Sequence, residues 1–116
     1  MKVIDKEALL DTFQYFDKHI VVEIIDIFIR EHAERLEKIN QAIAKKDFQT
    51  LKFESHSLKG IIANFVAEEP KKIAYELEEK GGANDPTDLK PLFERLQTSV
   101  AALVEDLNEI RAEFIE

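Results

Sequence analysis

The sequence predicts an all-α fold, an antiparallel up-down four-helix bundle with a short extra N-terminal helix, forming one domain over residues 1–116. Three observations predict it. Only three glycines and three prolines interrupt 116 residues rich in Leu, Ala, Glu and Lys, which lose little freedom on entering a helix. Apolar residues recur at three- and four-residue steps along most of the chain, the period of a helix with one buried stripe. The breaks between stripes are short, and short connections join antiparallel neighbours.

The elements follow in order. A short helix is expected from about Lys6 to Phe16, with Asp5 as its N-cap. Asp17 caps a long second helix reaching about Lys45, with Val21, Ile25, Phe28, Leu36, Ile39 and Ile43 on its inner face and His32 in one of the same slots. Asp47 caps the third, whose inward positions are Phe48, Leu51, Ser55, Leu58, Ile62 and Phe65. The fourth starts near Pro70, a residue tolerated in a first turn because its missing N–H would be unpaired there. Glu68 and Glu69 suit the positive end of its dipole, Ile73, Ala74 and Leu77 form its buried face, and "GGAND" (81–85) ends it. A fifth runs from about Asp88 to Phe114 on the stripe Leu89, Leu92, Leu96, Val100, Leu103, Leu107, Ile110 and Phe114.

Composition removes several function classes. A formal net charge of −8 repels nucleic acid and anionic membrane at long range. The absence of cysteine excludes disulfides, thiolate metal sites and thiol nucleophiles, and fits a cytoplasmic protein. "MKVIDKEALL" has no apolar core or cleavage site of a secretory signal, and "IVVEIIDIFI" (20–29) carries two acids and is too short to span a bilayer. The chain opens on a methionine and closes just after its last stripe residue, so it reads as self-contained, though an excised kinase module would read the same way; a monomer is expected.

One stretch stands apart. "ESHSLKGIIANF" (54–65) sets a glycine inside a helix, where it costs roughly 0.5–1 kcal/mol relative to alanine, one turn after His56. His56 lies to one side of the inward stripe and shares its face with Lys52, Phe53, Lys59, Gly60 and Ala63. Residues 45–60 hold four lysines against two acids on an otherwise acidic chain. A neutral imidazole nitrogen is a nucleophile at neutral pH. Lys59 offers charge to an incoming phosphoryl group, and Gly60 lets another protein's surface approach the helix backbone.

These residues resemble the signature of histidine-containing phosphotransfer (HPt) domains, H-x-L-K-G followed by a turn and a helix ending in a leucine-acid pair. His56, Leu58, Lys59 and Gly60 match, as do Asn64, Ala67, Glu76, Leu77 and Glu78. The five-helix layout resembles the family over nearly the whole chain. The resemblance implies a phosphorelay intermediate carrying a phosphoryl group on Nε2 of His56, between aspartates of response-regulator receiver domains or from a hybrid sensor histidine kinase. It implies that Lys59 stabilises the phosphoryl group and that Gly60 keeps a docking face open, with Lys52, Phe53 and Ala63 around it. Spacing singles out Glu78 independently: residues 56 and 78 lie equally far from a hairpin turning at Ala67, so antiparallel packing sets them level. In the family a Glu or Gln there accepts a hydrogen bond from Nδ1–H and presents Nε2.

Three departures from the family pattern stand out. Ile61 and Ile62 replace small residues, Val66 replaces a glycine, and Pro70 replaces an apolar residue. The last two bear on the shape of the turn and on the reach of Glu78. Other readings are a docking bundle with His56 unmodified, or the phosphoacceptor domain of a chemotaxis-type kinase. A di-iron site is disfavoured, because the residues three before His19, His32 and His56 are Phe16, Ile29 and Phe53, never the Glu that such bundles use. With no Gly-rich phosphate loop either, no cofactor, no metal and no ATP chemistry are expected. His19 is expected to be a solvated or capping-turn residue and His32 a partly buried structural one, neither with a functional role.

Overall fold

The computed structural model describes residues 2–114. Five helices follow one another: α1 (Lys6–Phe13), α2 (Lys18–Ala44), α3 (Phe48–Ala63), α4 (Glu68–Gly82) and α5 (Leu89–Phe114). Among the described residues there is no strand, and no helix is long and apolar enough to cross a membrane.

The predicted caps form. Asp5, Asp17 and Asp47 each accept a backbone N–H of the first helical turn, from Ala8, His19 and Thr50 respectively. α1 stops at Phe13, three residues short of expectation. Asp17 must stay extended to cap α2, so the chain turns at Phe13, whose carbonyl accepts the Phe16 N–H at 3.0 Å. The ends of α2 and α4 are closed by a left-handed residue just beyond each helix. With Lys46 at φ 55, Asp47 N–H reaches the Ala42 carbonyl at 2.9 Å; with Asn84 at φ 52, Asp85 N–H reaches Lys80 at 2.9 Å. Asn84, not a glycine, therefore ends α4, and Gly81 and Gly82 lie within the helix. At the other end α4 begins at Glu68, two residues before Pro70, which occupies the first turn.

α2 packs on α3 and α5, and α4 packs on the same two, which closes a four-membered ring about 46 Å long and 20 Å across. Leu51, Leu58, Ile62, Phe65, Leu77, Leu96, Leu103 and Leu107 are fully buried in its centre, and the rings of Phe28 and Phe65 meet at 5.3 Å. A side chain of this size, fully buried, contributes roughly 1.5–3 kcal/mol. α1 lies across the end where α3 turns into α4. Leu9 and Phe13 are buried there, and Asp5 N–H donates to the Val66 carbonyl at 3.2 Å. The N-terminal arm is held on α5 by the buried Asp106, whose carboxylate accepts the N–H groups of Val3 and Ile4 at 2.8 and 3.2 Å.

Val66 explains one departure from the family pattern. It sits in the α3–α4 turn at φ 53, the left-handed region that glycine enters freely and a β-branched residue does not. Such a conformation costs roughly 1–3 kcal/mol. The half-buried side chain packs against the core, and that burial offsets the strain. Val66→Gly is therefore expected to change stability by less than about 1 kcal/mol, because relief of strain and loss of packing oppose each other. Urea unfolding checks it; a loss of about 2 kcal/mol or more would mean that the turn stores no strain.

Candidate functional site

α3 presents His56 from the middle of its outer face, with its side chain 67% exposed. The reason is local. The inward stripe takes Leu51, Ser55, Leu58 and Ile62, all buried, and a helix turns each intervening residue away from that face. Phe53, Gly60 and Ala63 are exposed on the same side as His56, and Phe53 is the most exposed phenylalanine of the chain at 68%. Lys52 is also exposed, and its stem runs beside Gly82 of α4.

The α3–α4 hairpin brings Glu78 level with His56, and Nδ1–H of His56 donates to Glu78 Oε2 at 3.2 Å. Neither Val66 nor Pro70 displaces it. The second carboxylate oxygen, Oε1, faces Lys59 Nζ at 2.7 Å. One carboxylate thus holds an imidazole and an ammonium side by side. Burial raises the pKa of Glu78, but hydrogen bonds from Lys59 and then His56, with the lysine charge behind them, more than offset this and hold it below its ordinary 4.5. Glu78 is a carboxylate at neutral pH. With Nδ1 engaged as the donor, the neutral ring leaves its lone pair on Nε2, the nitrogen turned away from Glu78.

Sequence reasoning missed Tyr75. It stands one turn before Glu78 on the same face of α4, and Lys59 Nζ lies 4.8 Å from its ring centroid. Aromatic ring and carboxylate together confine a side chain that would otherwise sweep freely. The i−3 spacing from Glu78 was the available signal. Gly81 is a second residue that sequence reasoning missed, since "GGAND" (81–85) as a whole reads as the end of α4.

On the α2 side of His56, Ile24, Ile27, Phe28, Ile61 and Phe65 line a shallow groove with Asn64, and Glu31 and Arg35 stand at its rim. Arg35 donates to Ser57 Oγ at 3.3 Å. His19 and His32 lie elsewhere. His19 is exposed in the first turn of α2, and half-buried His32 donates from Nδ1 to the Ile29 carbonyl at 2.7 Å.

An exposed imidazole held in one tautomer beside a lysine can accept and release an electrophilic group such as phosphoryl. No curated protein matches the sequence. The crystal structure of histidine-containing phosphotransfer protein B (HptB) from Pseudomonas aeruginosa PAO1 has the same fold, with a TM-score of 0.87 over 96% of this chain and 96% of that one, at 23% identity. The family model described as the Hpt domain matches residues 23–113, a span holding all four bundle helices apart from the first turn of α2 and the last residue of α5. The chain therefore belongs to the Hpt domain family, the phosphocarriers of histidine phosphorelays.

Proposed function

We propose that this protein relays a phosphoryl group between receiver-domain aspartates by carrying it on Nε2 of His56. The observation that carries the reading is the Glu78 carboxylate, which engages His56 Nδ1 at 3.2 Å and Lys59 at 2.7 Å at once. In the forward step Nε2 attacks phosphorus in line. A P–N bond forms, the P–O bond to the receiver aspartate breaks, and that carboxylate leaves with the electron pair. The Nδ1 proton stays in the hydrogen bond to Glu78, which balances the positive charge arising on the ring. Lys59 lies beside the incoming oxygens and offsets their charge. The reverse step, onto a second receiver, uses the same atoms. Beyond the nucleophile itself, such transfer asks chiefly for positioning and charge neutralisation.

A receiver would dock across the outer faces of α2 and α3. Phe53 and the groove beside Ile61 supply apolar contact, and Gly60 and Ala63 offer no bulk against a partner. A Cβ placed on Gly60 meets no atom within 4 Å, so this glycine serves nothing inside the bundle. Its absent side chain favours close approach from outside.

The test is to mix the protein with phosphorylated receiver domains and measure acid-labile, base-stable phosphate on it. Wild type is expected to be labelled and His56→Gln to carry none. Full labelling of His56→Gln would remove His56 from the mechanism, and a wild type that no receiver labels would leave a docking bundle.

A further inference from the structure

Gly81 is buried inside α4, where it needs no special backbone conformation. A Cβ there would lie 2.7 Å from the backbone nitrogen of Lys52, 2.9 Å from the carbonyl oxygen of Phe48 and 3.0 Å from the Lys52 Cα. All three are backbone atoms of α3, which cannot swing aside as the end of a side chain can. Here α4 lies directly on the main chain of α3.

The place of that contact matters. Lys52 stands one turn before His56, and Gly81 one turn after Glu78. The two helices touch one turn from the pair that holds the imidazole. We propose that Gly81 is a positioning residue: its missing side chain lets α4 lie against the α3 backbone, and this contact sets the reach of Glu78 to His56 Nδ1. The inference deepens the phosphocarrier reading and rests on it for its effect on transfer, but its geometric part concerns the free protein alone.

Ordinary contact for a Cβ begins near 3.4 Å, so alanine at 81 requires the helices to part by about 0.7 Å, from 2.7 to 3.4 Å. The His56–Glu78 bond is already 3.2 Å long, and the same opening carries it past hydrogen-bonding distance. Lys59, on a flexible stem and starting from 2.7 Å, can follow the carboxylate. The opening therefore frees the imidazole while the ion pair survives. Gly82 supplies the control. A Cβ there meets only the stem of Lys52, at 3.7 and 3.8 Å, which is ordinary contact.

The experiment compares Gly81→Ala and Gly82→Ala by the 15N shifts of the His56 ring, which read tautomer populations, and by the rate of phosphoryl uptake from a phosphorylated receiver. Gly82→Ala is expected to match wild type in both. Gly81→Ala is expected to give a mixture of tautomers and uptake slower by about tenfold, in line with loss of a group that orients a histidine. In a Glu78→Ala background, Gly81→Ala should change uptake less than twofold further, since both act through one hydrogen bond. If Gly81→Ala is partly unfolded, the ring shifts are read on its folded resonances, with trimethylamine N-oxide added to raise the folded fraction. A wild-type tautomer in Gly81→Ala, or an equal loss of rate in both backgrounds, would overturn the assignment. Should wild type itself accept no phosphate, the relay reading fails, and the ring shifts alone still decide the role of Gly81.

Discussion

Lys59→Ala is expected to slow phosphoryl uptake by about a hundredfold, the scale of removing one preorganised electrostatic partner from a transferring group. The size of the effect comes from the way the lysine is held. Its ammonium lies 2.7 Å from Glu78 Oε1 and 4.8 Å from the centre of the Tyr75 ring, with only 23% of its side chain exposed. A freely moving surface lysine would spend little time near the proposed phosphoryl site; this one is confined beside Glu78 and Tyr75, next to His56, before a partner arrives. Stability should change little, because lysine and alanine are both good helix formers and a single partly exposed ion pair contributes at most about 1 kcal/mol. Receiver affinity should also stay within a few-fold, since the proposed docking contacts are apolar and lie on α2 and α3. Single-turnover transfer measured over a range of receiver concentrations separates the two quantities. A loss that appears mainly in affinity would place Lys59 in docking rather than in transfer.

Glu78 gives the second large effect, and two substitutions divide its roles. Glu78→Ala removes the acceptor of His56 Nδ1–H and is expected to slow uptake by about 10- to 100-fold. Glu78→Gln keeps a carbonyl oxygen at that place and is expected to stay within a few-fold of wild type, though its bond to Lys59 loses the charge. The pH dependence follows from the depressed pKa of Glu78. A carboxylate held below its unfolded value contributes stability in full above about pH 4.5, and loses it as pH falls through the folded value. The stability difference between wild type and Glu78→Gln should accordingly shrink as pH falls below about 4.5. Thermal unfolding across that range checks it, and a difference that persists unchanged at pH 2 would mean that charge on Glu78 does not matter to the fold.

The bundle was legible because its signals are local and repeated. Asp5, Asp17 and Asp47 are recognisable as caps from sequence and cap their helices, and the stripes of α3 and α5 are the buried faces. The register of His56 with Glu78 was legible for a related reason: an antiparallel hairpin pairs residues at equal distances from its turn. What stayed hidden needed three dimensions. The family pattern marked Val66 as a departure, yet only the backbone reveals that the chain keeps the glycine-like conformation and places a valine in it. Read along the chain, the two glycines after Lys80 look like a helix stop. Only the distance from Gly81 to the α3 backbone separates that reading from a helix contact, while Asn84 does the stopping. The i−3 spacing places Tyr75 on the Glu78 face, but only the position of the lysine above its ring reveals the contact.

The central claim is that Glu78 fixes the tautomer and so decides which nitrogen of which histidine takes the phosphate. It is tested most directly by 31P and 15N NMR of the protein after labelling by a phosphorylated receiver, with the ring nitrogens of His19, His32 and His56 assigned. The account predicts phosphorus coupled to Nε2 of His56, with a proton retained on Nδ1. Phosphorus on Nδ1 of His56, or on either of the other histidines, would contradict it.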